Sequence, residues 1–91
     1  MSWTLKEAVT WSDCAITSNT WDTYPILNFD EVPQVEVVLL DQPEQPSVGG
    51  GEAAAGPTAA ALGNALAHAL GLRARHLPLT AARLAQLIDQ S

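Results

Sequence analysis

Within the run Gln34 to Leu40, Val35, Val37 and Leu39 fall on one face of an extended backbone, and Val38 and Leu40 fall on the other. Apolar side chains on both faces describe a strand covered on both sides. No other feature restricts the folding of this chain so much, because 91 residues make at most one small domain. A chain of that length buries a modest fraction of its surface, so its stability is marginal without a partner, a metal or a disulfide. Cys14 is the lone cysteine and excludes an intrachain disulfide. With only His68 and His76 beside it, it does not complete a four-ligand structural zinc site. Cys14 therefore reads as a small apolar residue.

The rest of the chain reads as an α+β piece: a β-hairpin, an extended strap, one further strand and two C-terminal helices. Trp3, Leu5, Val9 and Trp11 alternate with Thr4, Lys6 and Thr10, which predicts a strand. Ser12-Asp13 then turns the chain and Ala15 to Ser18 returns as the second strand of a hairpin. A short helix over Leu5 to Thr10 is the competing reading. Tyr24-Pro25 and Val32-Pro33 push the preceding backbone towards extended geometry. Residues 19 to 33 accordingly form an ordered strap whose Trp21, Tyr24, Ile26, Leu27 and Phe29 need a surface to lie on. Residues 33 to 51 carry the strand and then a Gly-rich loop. A helix follows over 53 to 71, with Pro57 tolerated in its first turn and Gly71 as its C-terminal cap. Thr80 is suited to N-cap a terminal helix at 80 to 89, with Leu79 and Leu84 at the spacing of a hydrophobic staple.

Charge narrows the function classes. The net charge is −6. Residues 1 to 52 hold nine carboxylates against one lysine, while residues 53 to 91 hold three arginines against one aspartate. No clustered basic stripe is present, which argues against nucleic acid as a partner. The opening Met1 to Glu7 lacks the basic-then-apolar layout of a signal peptide. The Ala-rich stretch 53 to 70 is interrupted by Gly56, Pro57, Thr58, Gly63, Asn64 and His68. It falls short of the uninterrupted run of about twenty apolar residues that a membrane span requires. His68 lies off the Leu62, Leu66, Leu70 stripe and reads as a solvated or partner-facing residue, not a ligand.

One place carries chemistry. Gly49-Gly50-Gly51 is permissive backbone, usable where a loop must take unusual angles or approach a bulky ligand. The helix that follows presents its positive end to Glu52, which favours the ionised carboxylate that a general base needs. No Lys-Ser/Thr pair follows the glycines, so this is not a Walker-type phosphate loop, and the spacing of a dinucleotide fingerprint is absent. On pattern alone, a flexible turn with an N-terminal glutamate is the plainer reading.

The order of the motifs adds what no single one does. Trp3-Thr4-Leu5-Lys6-Glu7-Ala8-Val9, Ser18-Asn19-Thr20-Trp21-Asp22-Thr23-Tyr24-Pro25-Ile26-Leu27, Asp30-Glu31-Val32-Pro33 and Val35-Glu36-Val37 come in that order. Gly49-Gly50-Gly51-Glu52-Ala53, Pro57, Asn64-Ala65 and Arg73-Ala74-Arg75-His76-Leu77-Pro78-Leu79-Thr80 follow. Together they resemble the C-terminal end of the molybdopterin-binding large subunit of the xanthine dehydrogenase and aldehyde oxidase family, the molybdenum hydroxylases. The similarity is greatest to bacterial members that oxidise nicotinate, isoquinoline or aldehydes, and it covers nearly all of the chain. Ala81-Ala82 stands where Pro-Glu often opens the last helix of the family.

That resemblance implies an oxidoreductase that hydroxylates an N-heterocycle or an aldehyde with water as the oxygen source. It implies that Glu52 is the general base beside the molybdenum, and that Gly49, Gly50 and Gly51 form the loop packed near the molybdopterin centre. The molybdenum–molybdopterin belongs to the complete enzyme only; neither a cofactor nor a metal ligand is expected of this chain alone. Implied partners are the remainder of the large subunit and iron–sulfur and flavin or cytochrome electron carriers; for an isolated chain the oligomeric state stays open, a homo-oligomer among the options. The compartment stays open between bacterial cytoplasm and periplasm. Without a pocket, a pterin or a metal, one base is not expected to be active. Two other readings stand beside this one: a non-catalytic small interaction or structural protein derived from the family, and an anion-binding module using the Gly-rich loop.

Overall fold

A computed structural model describes residues 1 to 91. Its regular structure is three helices: α1 (Ser2–Leu5), α2 (Ala55–Leu70) and α3 (Ala81–Asp89). Local chemistry accounts for the two long ones. α2 starts two residues later than a start at Ala53, which places Pro57 in its first turn, where a missing N–H costs nothing. It ends at Gly71, whose φ of 71° is the left-handed value that glycine adopts without a Cβ clash, and the Gly71 N–H donates to the Ala67 carbonyl. α3 is capped by Thr80, whose hydroxyl accepts from the Arg83 N–H at 3.3 Å. Neither helix is long and apolar enough to cross a membrane.

The α+β expectation is not met: there is no sheet. In place of a hairpin there is one isolated antiparallel bridge, Trp11 to Ile16. The turn is present, with Ser12 N–H donating to Ala15 O at 2.8 Å and Thr17 N–H to Thr10 O at 2.9 Å. The ladder stops there because the Ser18 hydroxyl takes the Thr10 N–H at 3.0 Å, a side chain substituting for a strand partner. The segment assigned to the first strand folds instead as α1, with the Met1 carbonyl accepting from Thr4 and Leu5 and the Ser2 carbonyl from Lys6 and Glu7. Alternation placed Trp3 inside and Thr4 outside. The structure reverses them: Thr4 is 4 % exposed and Trp3 65 %. The cause is a long-range contact, since the Thr4 carbonyl accepts the Leu79 N–H at 2.6 Å.

The further strand at 33 to 40 is also absent. No residue from Val32 to Asp41 makes an intrachain hydrogen bond, and Val35 to Leu40 are exposed throughout. A strand is a pairing, and this chain brings no second run alongside. Residues 19 to 33 hold no element either. They turn at Thr20–Thr23 and at Asn28–Glu31 and are tied back to the α1 region at three points. The Tyr24 hydroxyl donates to Glu7 at 2.8 Å, the Leu27 N–H to the Ser2 hydroxyl at 3.1 Å, and Lys6 pairs with Glu31 at 2.5 Å. Trp21 and Phe29 find no surface and are exposed. Cys14 is exposed as well, which corrects its reading as a packed apolar residue.

The interior is correspondingly slight. Thr4, Pro78 and Leu79 are the buried residues, and α1 lies against α2. Thr58, Ala59, Leu62, Gly63, Leu66 and Ala67 form the half-covered face of α2. The accessible surface is 7867 Å² for a chain of 9.6 kDa, against about 5,100 Å² for a compact protein of that mass. The radius of gyration, 16.8 Å, likewise exceeds the value of about 12 Å that close packing would give.

Candidate functional site

Glu52 lies just ahead of α2, two residues before the cap residue Ala54. Its carbonyl accepts the Ala55 N–H at 3.1 Å, and this turn delivers the chain into the helix. The carboxylate itself is exposed and makes no hydrogen bond or ion pair. The first turn of α2 contains no acidic residue and Ala54 offers no capping side chain. The proximity of Glu52 to the helix end is therefore looser than a helix starting at Ala53 would make it.

Gly49, Gly50 and Gly51 precede it in the open. None has a positive φ, and a Cβ added at any of them would meet nothing within 4 Å. Nothing inside this chain requires glycine there. Three residues without side chains, placed next to a free carboxylate, leave a path for another body to approach the backbone closely.

The structure brings Glu52 together with α1. A shallow cleft of about 280 Å³ is lined by Gly51, Glu52, Ala54, Ala55 and Thr58 on one side and by Met1, Ser2, Trp3 and Thr4 on the other. The part played by α1 was not legible in the sequence, because the alternation of its residues pointed to a strand and the contact joins positions about fifty apart. A second cleft, of about 410 Å³, lies between the basic turn and α3 and holds Arg75, His76 and Arg83 but no carboxylate. There Arg83 donates to the carbonyls of Leu77 and Pro78, so its charge closes the loop into α3. His68 is exposed on α2, near the Arg73 to Asn64 hydrogen bond of 3.4 Å. No three His, Cys, Asp or Glu side chains converge in a way that could hold a metal ion.

Comparison with known proteins supplies what geometry does not. The chain is 44 % identical over 80 residues to a nicotinate dehydrogenase subunit of Pseudomonas putida. It is a homologue of part of that protein. The match takes in 88 % of this chain and spans 7 % of the length of the relative. A match of 80 residues in 91 includes Gly49 to Glu52 wherever it begins. No family model matches the chain, and no solved structure does.

Proposed function

We propose that this chain is the C-terminal portion of the molybdopterin-binding large subunit of a molybdenum hydroxylase, acting on an N-heterocycle of the nicotinate kind. The observation that carries the proposal is the 44 % identity to the nicotinate dehydrogenase subunit of Pseudomonas putida across 88 % of the chain. The fit to the implied cofactor is that of a neighbour, not a holder. The chain offers no cluster of metal ligands, but it does offer a side-chain-free loop at Gly49–Gly51 and an unengaged carboxylate at Glu52. When bound, the molybdenum–molybdopterin supplies the oxidising power and activates the water-derived oxygen.

The part of this chain is to move a proton. Glu52 would accept at its carboxylate oxygen the proton released by the water-derived oxygen, the role of a positioned general base. Gly49, Gly50 and Gly51 let the backbone lie close to the cofactor, and α2 anchors the loop from behind. The remaining length of the large subunit, together with iron–sulfur and flavin or cytochrome carriers, completes the enzyme in this reading.

The test is Glu52→Gln in the assembled enzyme. Removing a general base is expected to cost a factor of about 10²–10⁴ in turnover. The mass of the complex and its molybdenum content should stay unchanged. Near-normal turnover in that variant would rule out the assignment of Glu52. A non-catalytic descendant of the family would instead purify without molybdenum and without a long partner, which native mass spectrometry with metal analysis distinguishes.

A further inference from the structure

The run from Val35 to Leu40 is the place where this chain is least complete. Val35, Val37, Val38, Leu39 and Leu40 are 71, 75, 74, 89 and 81 % exposed. None of their backbone groups is hydrogen-bonded within the chain. Whatever covers these side chains also removes water from the adjacent N–H and C=O groups, and each of those then needs a partner. A lipid surface offers none, and five carboxylates, Asp30, Glu31, Glu36, Asp41 and Glu44, lie in or beside the run with no Lys or Arg among residues 28 to 46. A second copy would add five more carboxylates and no cation beside the run, which like-charge repulsion opposes. A different polypeptide meets both demands, since it can pair the backbone and present apolar layers with a basic rim.

We infer that Val35 to Leu40 is the surface by which this chain docks into the remainder of the large subunit, covered on both sides by that partner and hydrogen-bonded to it along the backbone. This rests on the functional reading above. Two observations name the occupant. The homologous stretch of the nicotinate dehydrogenase subunit is 7 % of a far longer polypeptide, so most of that polypeptide lies outside the match and is available to cover it. The chain as a whole also exposes about 2,800 Å² more surface than a compact chain of its mass, so it leaves ample surface for a long partner to cover.

Hydrogen exchange read by mass spectrometry tests this, on the 91-residue chain alone and on the enzyme assembled in its source organism. The amides of 35 to 40 should exchange freely in the isolated chain and at least about a hundredfold more slowly in the assembled enzyme. Val37→Asp and Leu39→Asp should lower the yield of assembled enzyme at least about tenfold, since a charge at a buried contact is left unpaired. Gln45→Asp, at an exposed polar position outside the run, should leave the yield unchanged. If the enzyme assembles while 35 to 40 still exchanges freely, or assembles normally with either aspartate, the docking inference fails and the functional reading stands. If the chain is found only alone or as a homodimer, with no long partner homologous to the nicotinate dehydrogenase of Pseudomonas putida, both fail.

Discussion

Residues 54 to 91 and residues 8 to 53 obey different rules. In the first stretch, two helices account for most positions, Gly71 ends the first and Thr80 caps the second, and apolar residues line one side. In the second, turns at Ser12–Ala15, Thr20–Thr23 and Asn28–Glu31 are joined by backbone with few partners, and the large apolar side chains face outwards. The two stretches do not differ in apolar content so much as in where the partners lie. A helix takes its hydrogen bonds from four residues away. A strand takes them from a neighbour that must come from elsewhere, and here no neighbour comes.

That contrast can be broken most severely at Leu79. It is the buried hydrophobic residue of the chain, and its N–H holds the Thr4 carbonyl, so it joins α1 to the approach to α3. Leu79→Ala should cost about 2–3 kcal/mol, at the low end of large-to-small changes because the site is only thinly covered. Urea unfolding followed by far-UV circular dichroism reads the loss. If stability is unchanged, the N-terminal and C-terminal stretches are not coupled through the packing of this side chain.

A smaller effect sharpens the local side of the comparison. Thr80→Ala removes the hydroxyl that accepts from Arg83 N–H and should cost about 1 kcal/mol. Helix content should fall at α3 alone, as amide exchange at Ala81–Asp89 would report, with α2 unaffected. Loss of both helices together would mean that their boundaries are not set locally.

The smallest effects belong to the strap. Glu31 is held below its ordinary value of 4.5, first by the Asn28 N–H and then by the Lys6 ammonium. Its contribution is therefore complete above pH 4.5 and is lost as pH falls through its lower folded value. Tyr24 is pushed above 10.0 by its hydrogen bond to Glu7, with burial and the Glu7 charge adding to it. Its contribution is present below pH 10.0 and is lost as pH rises through the folded value. Both groups sit in open surroundings, where screening keeps such contributions small. Urea midpoints of Glu31→Gln and Tyr24→Phe against the parent chain should converge at the acid and alkaline ends respectively. A constant offset across pH would show that these ties do not titrate in this way.

The candidate site was legible only in part. Gly49 to Glu52 stand out in the sequence because glycines before a helix are locally distinctive, and the ordered motifs around them point to a family. That Trp3 and Thr4 line the cleft with Glu52 was hidden, since nothing within a few residues of α1 signals a partner at position 52. The exposure of Cys14 was hidden for the same reason: burial depends on neighbours, not on residue type.

By itself the sequence determined α2 and α3, the C-terminal end of α2 and the N-terminal end of α3. Pro57, Gly71 and Thr80 act on backbone within one turn of themselves, through a missing donor, a left-handed φ and a side-chain acceptor. Only the tertiary structure decided that Ser2–Leu5 is a helix with Thr4 inward, that Trp11 and Ile16 make one bridge and no ladder, and that Val35 to Leu40 remain uncovered. Each of those outcomes turns on whether a distant backbone group or apolar surface arrives. Periodicity states what a segment needs; it does not state whether the rest of the chain is there to supply it.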